Sequence, residues 1–358
     1  MPSFRRSGAI ALLAAIALTA SACSAPADPG ASETSAAADG GQASGTFPLT
    51  VEHALGETVI PEKPERVVTL SWMNHDIVAA LGVVPVGVPE TWGGDEEGFT
   101  PWFRDQVEDE LGAEMPEVIT FTEDGPDYEQ ILALQPDVII GVYSGLTEAE
   151  YERLSEIAPT VAYLERPFTA GTWQEHTEVI GEILGEQAKA SELIAQTEAA
   201  VDAEASEHPN LDGSSFIYSL TLSEGSTEIA AYITEDPRVS LLHEFGMVDS
   251  PALAAASEGL DSDVFYTGFS LEELDAVEAD VVVAWSNGPQ DTEYTQTHPV
   301  FSRWDPIADG RYYIVEDTTL GMATSGPDVL SIPWAIEQGY IDDISSAIDG
   351  GAVVREAD

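Results

Sequence analysis

The chain has 358 residues, with 12 Lys or Arg against 65 Asp or Glu, and its formal net charge is −53 at pH 7. This acidity argues strongly against nucleic acid as a partner, because phosphate binding requires a cationic surface. A hydrophobic content of 44% still predicts a packed body, and the length predicts two lobes.

The N-terminus has the pattern of a signal peptide. Two arginines precede an apolar run over residues 9–18, which ends in Ala20-Ser21-Ala22-Cys23. This run is shorter than the ~20 apolar residues that span a bilayer. We expect a signal peptide over 1–22 and lipidation of Cys23, the only cysteine. The alternative is an ordinary signal peptide with an unpaired cysteine, and Ala20 stands where lipoprotein cleavage sites usually carry leucine.

A flexible tether is predicted next. Residues 24–45 contain no Val, Ile, Leu or aromatic residue. Such a composition cannot build a core, so 23–45 is interpreted as a lipidated linker. The folded body begins near Thr46 and is held on the outer face of the cell membrane.

Short β-branched runs alternate with helical stretches in two series, which predicts α/β architecture. The first series contains Val67–Leu70, Val84–Val88, Val138–Val142 and Val161–Tyr163. The second contains Phe216–Leu220, Ile229–Ile233, Val281–Trp285 and Tyr312–Val315. We expect an N-terminal α/β lobe over 46–186 and a C-terminal one over 209–358.

One long helix is predicted between the two series. Residues 187–207 contain no Gly or Pro and are rich in Ala, Glu and Gln. Gly185 precedes this stretch, and His208-Pro209 stops it. A linking helix over 187–208 extends roughly 30 Å, about the width of a small lobe.

A short internal sequence repeat, which we call the internal echo, relates the two lobes. The segment 127–140 aligns with 270–283, and each copy reads as a cap, a short helix, an acidic turn and a buried strand. Each copy begins with two residues at the spacing of a capping box, in which the N-cap residue pairs with the residue three positions later. These residues are Asp127 with Gln130 and Ser270 with Glu273. Glu129 and Glu272 then occupy equivalent positions in a first helical turn.

The loops after the predicted strands are rich in aromatic residues. Ligands of open α/β sheets bind beyond the carboxyl ends of the strands. The candidate ligand-binding residues there are Trp72, Asn74, Trp92, Tyr143, Tyr232 and Trp285. Arg166 and Arg238 are added because arginine is scarce, with Arg238 the better candidate. The alternatives are core packing for each ring and a surface ion pair for each arginine.

Neither a metal centre nor an enzyme site is predicted. The six histidines are dispersed without metal-ligand spacing, and no dinucleotide or P-loop motif occurs. Gly141-Val142-Tyr143-Ser144-Gly145 follows a strand, but its serine is fourth where a nucleophile elbow requires the third position. A secreted α/β hydrolase that uses Ser144 remains the alternative from another class.

Three segments resemble the iron-siderophore and cobalamin class of periplasmic-type binding proteins. They are Lys63–Leu70, Ala79–Gly87 and Tyr128–Ile140, and the match extends from Thr46 to the C-terminus. The resemblance implies a class III substrate-binding protein, in which two Rossmann-like lobes are joined by a single long α-helix.

The resemblance also implies a function. A monomeric, extracytoplasmic component of an ABC importer would capture a ferric siderophore between its lobes and deliver it to the permease. Glu129 and Glu272 match the family positions that dock on permease arginines. No cofactor is implied, because the ligand already contains its metal. Cobalamin and haem are the alternative ligands, and the acidity of the chain favours a neutral or cationic hydroxamate.

Overall fold

The computed structural model of the protein describes residues 45–356 except 123–124, 169–170 and 261–263. The predicted signal peptide, Cys23 and the tether before residue 45 lie outside this described part. None of the helices within it combines the length and the apolar character that crossing a membrane requires. The body begins with an antiparallel hairpin of β1 (Leu49–His53) and β2 (Gly56–Ile60).

The first sheet is parallel and belongs to the N-terminal lobe. Its strands are β3 (Val67–Thr69), β4 (Gly87–Pro89), β5 (Glu117–Ile119), β8 (Val138–Ile140) and β9 (Thr160–Val161), in the order β5-β4-β3-β8-β9. A small hairpin pairs β6 (Phe121–Thr122) with β7 (Gly125–Pro126). The helices are α1 (Asn74–Ala80), α2 (Pro101–Arg104) with a π-helical continuation over Asp105–Glu110, α3 (Tyr128–Leu134), α4 (Glu148–Ser155) and α5 (Trp173–Leu184).

The second sheet is mixed and belongs to the C-terminal lobe. Its strands are β10 (Ser215–Leu220), β11 (Glu228–Tyr232), β12 (Val248–Asp249), β13 (Tyr266–Ser270), β14 (Val281–Trp285), β15 (Tyr312–Val315) and β16 (Val353–Arg355). Their order is β13-β11-β10-β14-β15-β16, with β12 beside β10. The helices are α7 (Pro237–Glu244), α8 (Pro251–Ser257), α9 (Pro289–Thr297), α10 (Asp305–Ala308), α11 (Thr318–Ser325), α12 (Ser331–Glu337) and α13 (Tyr340–Ile348), with 3-10 turns at Leu274–Ala276 and Phe301–Arg303.

Helix α6 (Gln187–Glu207) joins the two lobes, which confirms the predicted long helix. Gly185 adopts a left-handed conformation (φ 66°) at the end of α5, so the chain can turn into α6 there. The buried positions on α6 are Ala190, Ile194, Thr197 and Val201. Their spacing of three to four residues gives the helix one face toward the core.

The internal echo is confirmed at the strands by two equivalent aspartates. The Asp137 carboxylate accepts the backbone N–H of Arg66 at 3.0 Å, just before β3. The Asp280 carboxylate accepts the backbone N–H of Ser215 at 2.8 Å, at the start of β10. Each carboxylate therefore fixes its own strand, β8 or β14, beside the first strand of its sheet.

The predicted capping boxes are wrong, although the Asp127 cap forms. Asp127 accepts the N–H of Glu129 and of Gln130 at 3.0 Å, but the Gln130 side chain donates to the Val118 carbonyl instead of closing a box.

The C-terminal copy of the echo has no α-helix. Leu271, Leu274 and Val277 are buried at intervals of three residues, a spacing that suits the 3-10 turn found there. Glu272 therefore lies in a turn, and its backbone N–H donates to the Ser270 hydroxyl at 3.3 Å.

Candidate functional site

Three tryptophans from the two lobes meet at the carboxyl ends of the sheets. Trp72 follows β3, Trp92 follows β4, and Trp285 is the last residue of β14. The Trp92 ring centroid lies 4.8 Å from that of Trp285 in an edge-on contact and 6.5 Å from that of Trp72 in a stacked one. Gly321 on α11 makes this possible, because a Cβ there would lie 2.2 Å from the Trp285 ring.

Two adjoining hollows share Trp72 and Trp92 in their walls. The larger has a volume of about 610 Å³ and is lined by residues 70–72, 89–92, 119, 121, 126, 144–146, 150 and 168. The smaller, of about 290 Å³, is lined by Trp72, Trp92, Tyr232, Arg238, Trp285 and Ser325. Volumes of this size are typical of small-molecule sites.

The wall of the larger hollow contains aromatic and acidic side chains that the sequence did not single out. Phe121 and Phe168 are exposed at its rim, and Glu90 and Glu150 add carboxylates. The Phe168 ring packs so closely on Gly145 that a Cβ there would lie 2.2 Å from it. Phe121 lies in the two-residue strand β6, and the other three lie in loops or near the start of α4, so no strand periodicity marks them. The larger hollow is thus apolar, with acidic groups at its edge.

Arg238 is the cationic group of the smaller hollow. Its Nη1 donates to the Asp236 carboxylate at 3.0 Å, and its Nε donates to the Ser325 hydroxyl at 3.0 Å. The guanidinium also lies 4.3 Å from the centroid of the Tyr232 ring. Burial alone would lower the pKa of Arg238, but the Asp236 carboxylate raises it, so the guanidinium stays charged.

The charge of Arg238 is matched locally, whereas one of its donors is free. Asp236 is almost fully buried and caps the start of α7, where it also accepts the backbone N–H of Arg238 at 2.9 Å. The pair therefore carries no net charge. Within the described part of the chain, Arg238 Nη2 has no hydrogen-bond partner, so it is available to an oxygen atom of a ligand.

The structure brings together Trp72, Trp92, Tyr232, Arg238 and Trp285, but it places three other candidates outside both walls. Asn74 is completely buried and joins two loops, since its amide donates to the carbonyls of Leu70 and Tyr143 at 2.6 and 2.9 Å. Tyr143 is 4% exposed and packs on Phe168, and burial raises the pKa of its phenol. Arg166 is half-buried and contributes to neither wall.

The geometry of Ser144 does not support a nucleophile. Its hydroxyl donates to the carbonyl of Gly141 at 2.6 Å, so its proton is held by the backbone and not by a general base. Ser144 lines the larger hollow only as a buried turn residue.

One His-carboxylate group was not evident from spacing alone. His208 Nε2 lies 3.2 Å from Glu204 Oε1 and 3.3 Å from Asp342 Oδ1, and these three residues have the geometry to hold a metal ion. Glu204 and His208 are one helical turn apart, but Asp342 lies on α13. None of them lines either hollow, and an ordinary ion pair explains the contact.

Comparison with known sequences identifies the architecture. A family model described as periplasmic binding protein matches residues 67–317. The probable siderophore-binding lipoprotein YfiY of Bacillus subtilis is 35% identical over 147 residues, which is 41% of each chain. The ferric-anguibactin-binding protein FatB of Vibrio anguillarum is 29% identical over 165 residues, 43% of this chain and 46% of its own. The chain thus aligns with less than half the length of these two curated relatives.

Solved structures match over most of the chain. PiaA of Streptococcus pneumoniae TIGR4, in complex with ferrichrome, has 30% sequence identity and a TM-score of 0.75, over 84% of this chain and 99% of its own. A periplasmic solute binding protein of Mycobacterium smegmatis has 26% sequence identity and a TM-score of 0.68, over 84% of this chain and 98% of its own. These matches confirm the two-lobe α/β fold with a connecting helix.

Proposed function

Since the chain belongs to the periplasmic binding protein family, we propose that it binds a ferric siderophore between its lobes and delivers it to an ABC importer. The observation that carries this proposal is the meeting of Trp72 and Trp92 with Trp285 beside Arg238, at the carboxyl ends of both sheets. Large rings bind a bulky chelate with little loss of side-chain entropy. The protein acts by binding and release, without catalysis.

The charges of the site favour an uncharged ligand. Asp236 compensates Arg238, and the larger hollow adds Glu90 and Glu150. A triply anionic catecholate complex would meet no net positive charge there, whereas a ferric trihydroxamate is neutral. The ferrichrome in the complex with PiaA is a ligand of this chemical class. We therefore propose a neutral ferric hydroxamate, bound by the aromatic rings and by Arg238 Nη2.

Ligand titration followed by tryptophan fluorescence tests this function. Three of the seven tryptophans border the hollows, so a bound ferric chelate should quench the emission of the full chain. Ferrichrome should bind more tightly than its iron-free form, a ferric triscatecholate, haem or cobalamin. Stronger binding of haem or cobalamin would assign a different ligand within the same fold. The absence of saturable quenching by every one of these compounds would contradict the proposal.

Replacing Trp92 with alanine should weaken ligand binding. Its ring is 40% exposed and lies between Trp72 and Trp285, so the variant loses the centre of the aromatic wall. We expect a loss of about 1–3 kcal/mol in binding free energy, measured as a tenfold or greater rise in the ferrichrome dissociation constant. Phe265→Ala is the matched control, because Phe265 is equally exposed but lines neither hollow. Equal affinities of the two variants would remove Trp92 from the site.

We further propose that Glu129 and Glu272 dock the loaded protein on permease arginines. Both are exposed, and they occupy the same position of the internal echo, one in each lobe. The aspartates that follow them, Asp137 and Asp280, make the same contacts to their sheets. Each glutamate is thereby held at a set position relative to a rigid strand, as an electrostatic contact with a partner requires.

The same proposal includes a lipid anchor at Cys23 and an extracytoplasmic, monomeric protein. The lobes would then extend over 46–186 and 209–358, with the linking helix between them. Relatives that are named as lipoproteins, such as YfiY, support the anchor. A mature N-terminus at an acylated Cys23, read by mass spectrometry, is the required observation.

A further inference from the structure

Two buried carboxyl groups face each other between the lobes. Asp76 lies on α1 of the N-terminal lobe, and Asp328 lies between α11 and α12 of the C-terminal lobe. Their exposed fractions are 1% and 0%, and their side chains are within hydrogen-bonding reach of each other. The rings of Trp102 and Trp334 cross the same boundary, with centroids 5.0 Å apart.

The donors around this pair occupy only one oxygen of each carboxyl group. Asp76 Oδ2 accepts from Trp102 Nε1 at 3.0 Å. Asp328 Oδ1 accepts from the backbone N–H groups of Leu330 and Ser331 at 2.7 and 3.0 Å. Within the described part of the chain, Asp76 Oδ1 and Asp328 Oδ2 are left without a donor. Two buried carboxylate oxygens in that position would repel each other, whereas one proton between them forms a strong hydrogen bond.

We propose that the folded protein retains one proton on Asp328 Oδ2, donated to Asp76 Oδ1, and that this proton holds the two lobes together. Asp328 is the donor because its other oxygen already accepts two backbone N–H groups. The lobe contact is therefore a proton-binding site, and its occupancy depends on external pH.

No neighbouring cation replaces the proton. His75 Nε2 lies 3.6 Å from Asp76 Oδ1, but burial lowers the pKa of His75 to about 4, so the ring is neutral at physiological pH. Among the described residues, neither carboxyl group forms an ion pair with Lys or Arg. Trp102, the other side chain that contacts Asp76, has no charge to titrate.

Titration of this pair should lower stability as pH rises. Burial raises the pKa of Asp76 to about 6 and, together with the charge of Asp76, raises the pKa of Asp328 well above its usual value. The folded protein therefore holds protons that the unfolded chain releases. Stability from a raised pKa is greatest at low pH and is lost as pH rises through the folded-state values. Above neutrality, the proton that remains to be lost is the one on Asp328.

His75 links Asp76 to the wall of the ligand site. His75 Nε2 lies 3.3 Å from the hydroxyl of Thr91, and Thr91 lines the larger hollow beside Trp92. Loss of the proton introduces a second buried negative charge beside Asp76, which His75 separates from Thr91 of this wall. The lobes should then separate in alkaline solution, and the affinity for any ligand between them should fall.

Denaturant unfolding of the full chain between pH 6.5 and 9 tests the proton, without any ligand. One retained proton raises the unfolding constant of the wild type tenfold per pH unit. The Asp328→Asn variant supplies a permanent N–H donor in place of the proton. Its unfolding constant should therefore rise less steeply with pH than that of the wild type, by a factor of ten per pH unit. Asp76→Asn, in the other lobe, should reduce the pH dependence of unfolding in the same way. With two variants, the test still works if one of them fails to fold. Asp127→Asn, an exposed cap, is the control and should keep the wild-type slope.

Small-angle X-ray scattering tests the role of the proton between the lobes. The radius of gyration of the wild type should increase between pH 7 and pH 9, and that of Asp328→Asn should not. Equal unfolding slopes for the wild type and both asparagine variants would overturn the retained proton. A slope difference without any change in the wild-type radius would overturn its role in holding the lobes.

Discussion

Reversing the charge at both Glu129 and Glu272, by substitution with arginine, should reduce ferrichrome-dependent iron uptake to the level of cells that lack the protein. The ligand dissociation constant should stay unchanged, because neither residue lines a hollow. The physical reason is that each glutamate would face an arginine of the permease, and a like-charge contact costs several kcal/mol at each lobe. Either single reversal should leave partial uptake. The measurements are radioactive iron uptake in whole cells and fluorescence titration of the purified variant.

The control for this experiment separates docking from helix electrostatics. Glu129 lies in the first turn of α3, where any carboxylate is stabilised by the helix dipole, and Glu148 likewise lies in the first turn of α4. Reversal of Glu148 together with the exposed Glu293 of α9 changes the net charge by the same amount. This control should keep normal uptake. Equal loss of uptake in both double variants would show that net charge or stability matters and would contradict a specific docking role.

Local sequence signals predicted much of the fold. Helix α6 was predicted because its limits depend on nearby residues: Gly185 ends the preceding helix, and Pro209 prevents continuation beyond His208. The eight predicted strands are short runs rich in β-branched or aromatic residues, and most of their residues are buried in the structure. β5 and β13 were missed because they are short or partly exposed, so their residues show no clear alternation.

The sequence predicts the position of the candidate site better than it predicts which individual residues form its wall. The rule that ligands bind at the carboxyl ends of strands selected Trp72, Trp92 and Trp285, which the structure brings together at the smaller hollow. It does not determine in which direction a side chain points after the strand ends, and for this reason Asn74 and Tyr143 were placed in the wall although both are buried.

Tertiary contacts between distant residues left no signal in the sequence. Asp76 and Asp328 are far apart in the chain, and their contact depends on how the two lobes meet. An acidic composition predicts exposed carboxylates, and nothing local distinguishes these two from the other acidic residues. The same limit applies to Asp342 beside His208.

Arg238→Gln should have the second large effect, on both stability and binding. Asp236 is 2% exposed, and its carboxylate would lose the guanidinium that compensates its charge. Breaking a buried ion pair by removing one partner typically costs about 3–5 kcal/mol in the free energy of unfolding. Burial raises the pKa of Asp236, so the loss should shrink as pH falls and this carboxyl group is protonated. Denaturant unfolding at pH 5 and pH 7.5 measures this difference.

The double variant Asp236→Asn/Arg238→Gln separates stability from binding. Two neutral amides remove the unpaired charge, so most of the lost stability should return. Ferrichrome affinity should nevertheless remain reduced by about 1.5–3 kcal/mol, the usual contribution of a hydrogen bond from a charged donor, because Nη2 no longer faces the ligand. If the double variant regains full affinity as well, Arg238 acts only by holding Asp236 and α7 in place. If the affinity stays low while stability is restored, the guanidinium itself contacts the chelate, and the aromatic wall alone does not account for binding.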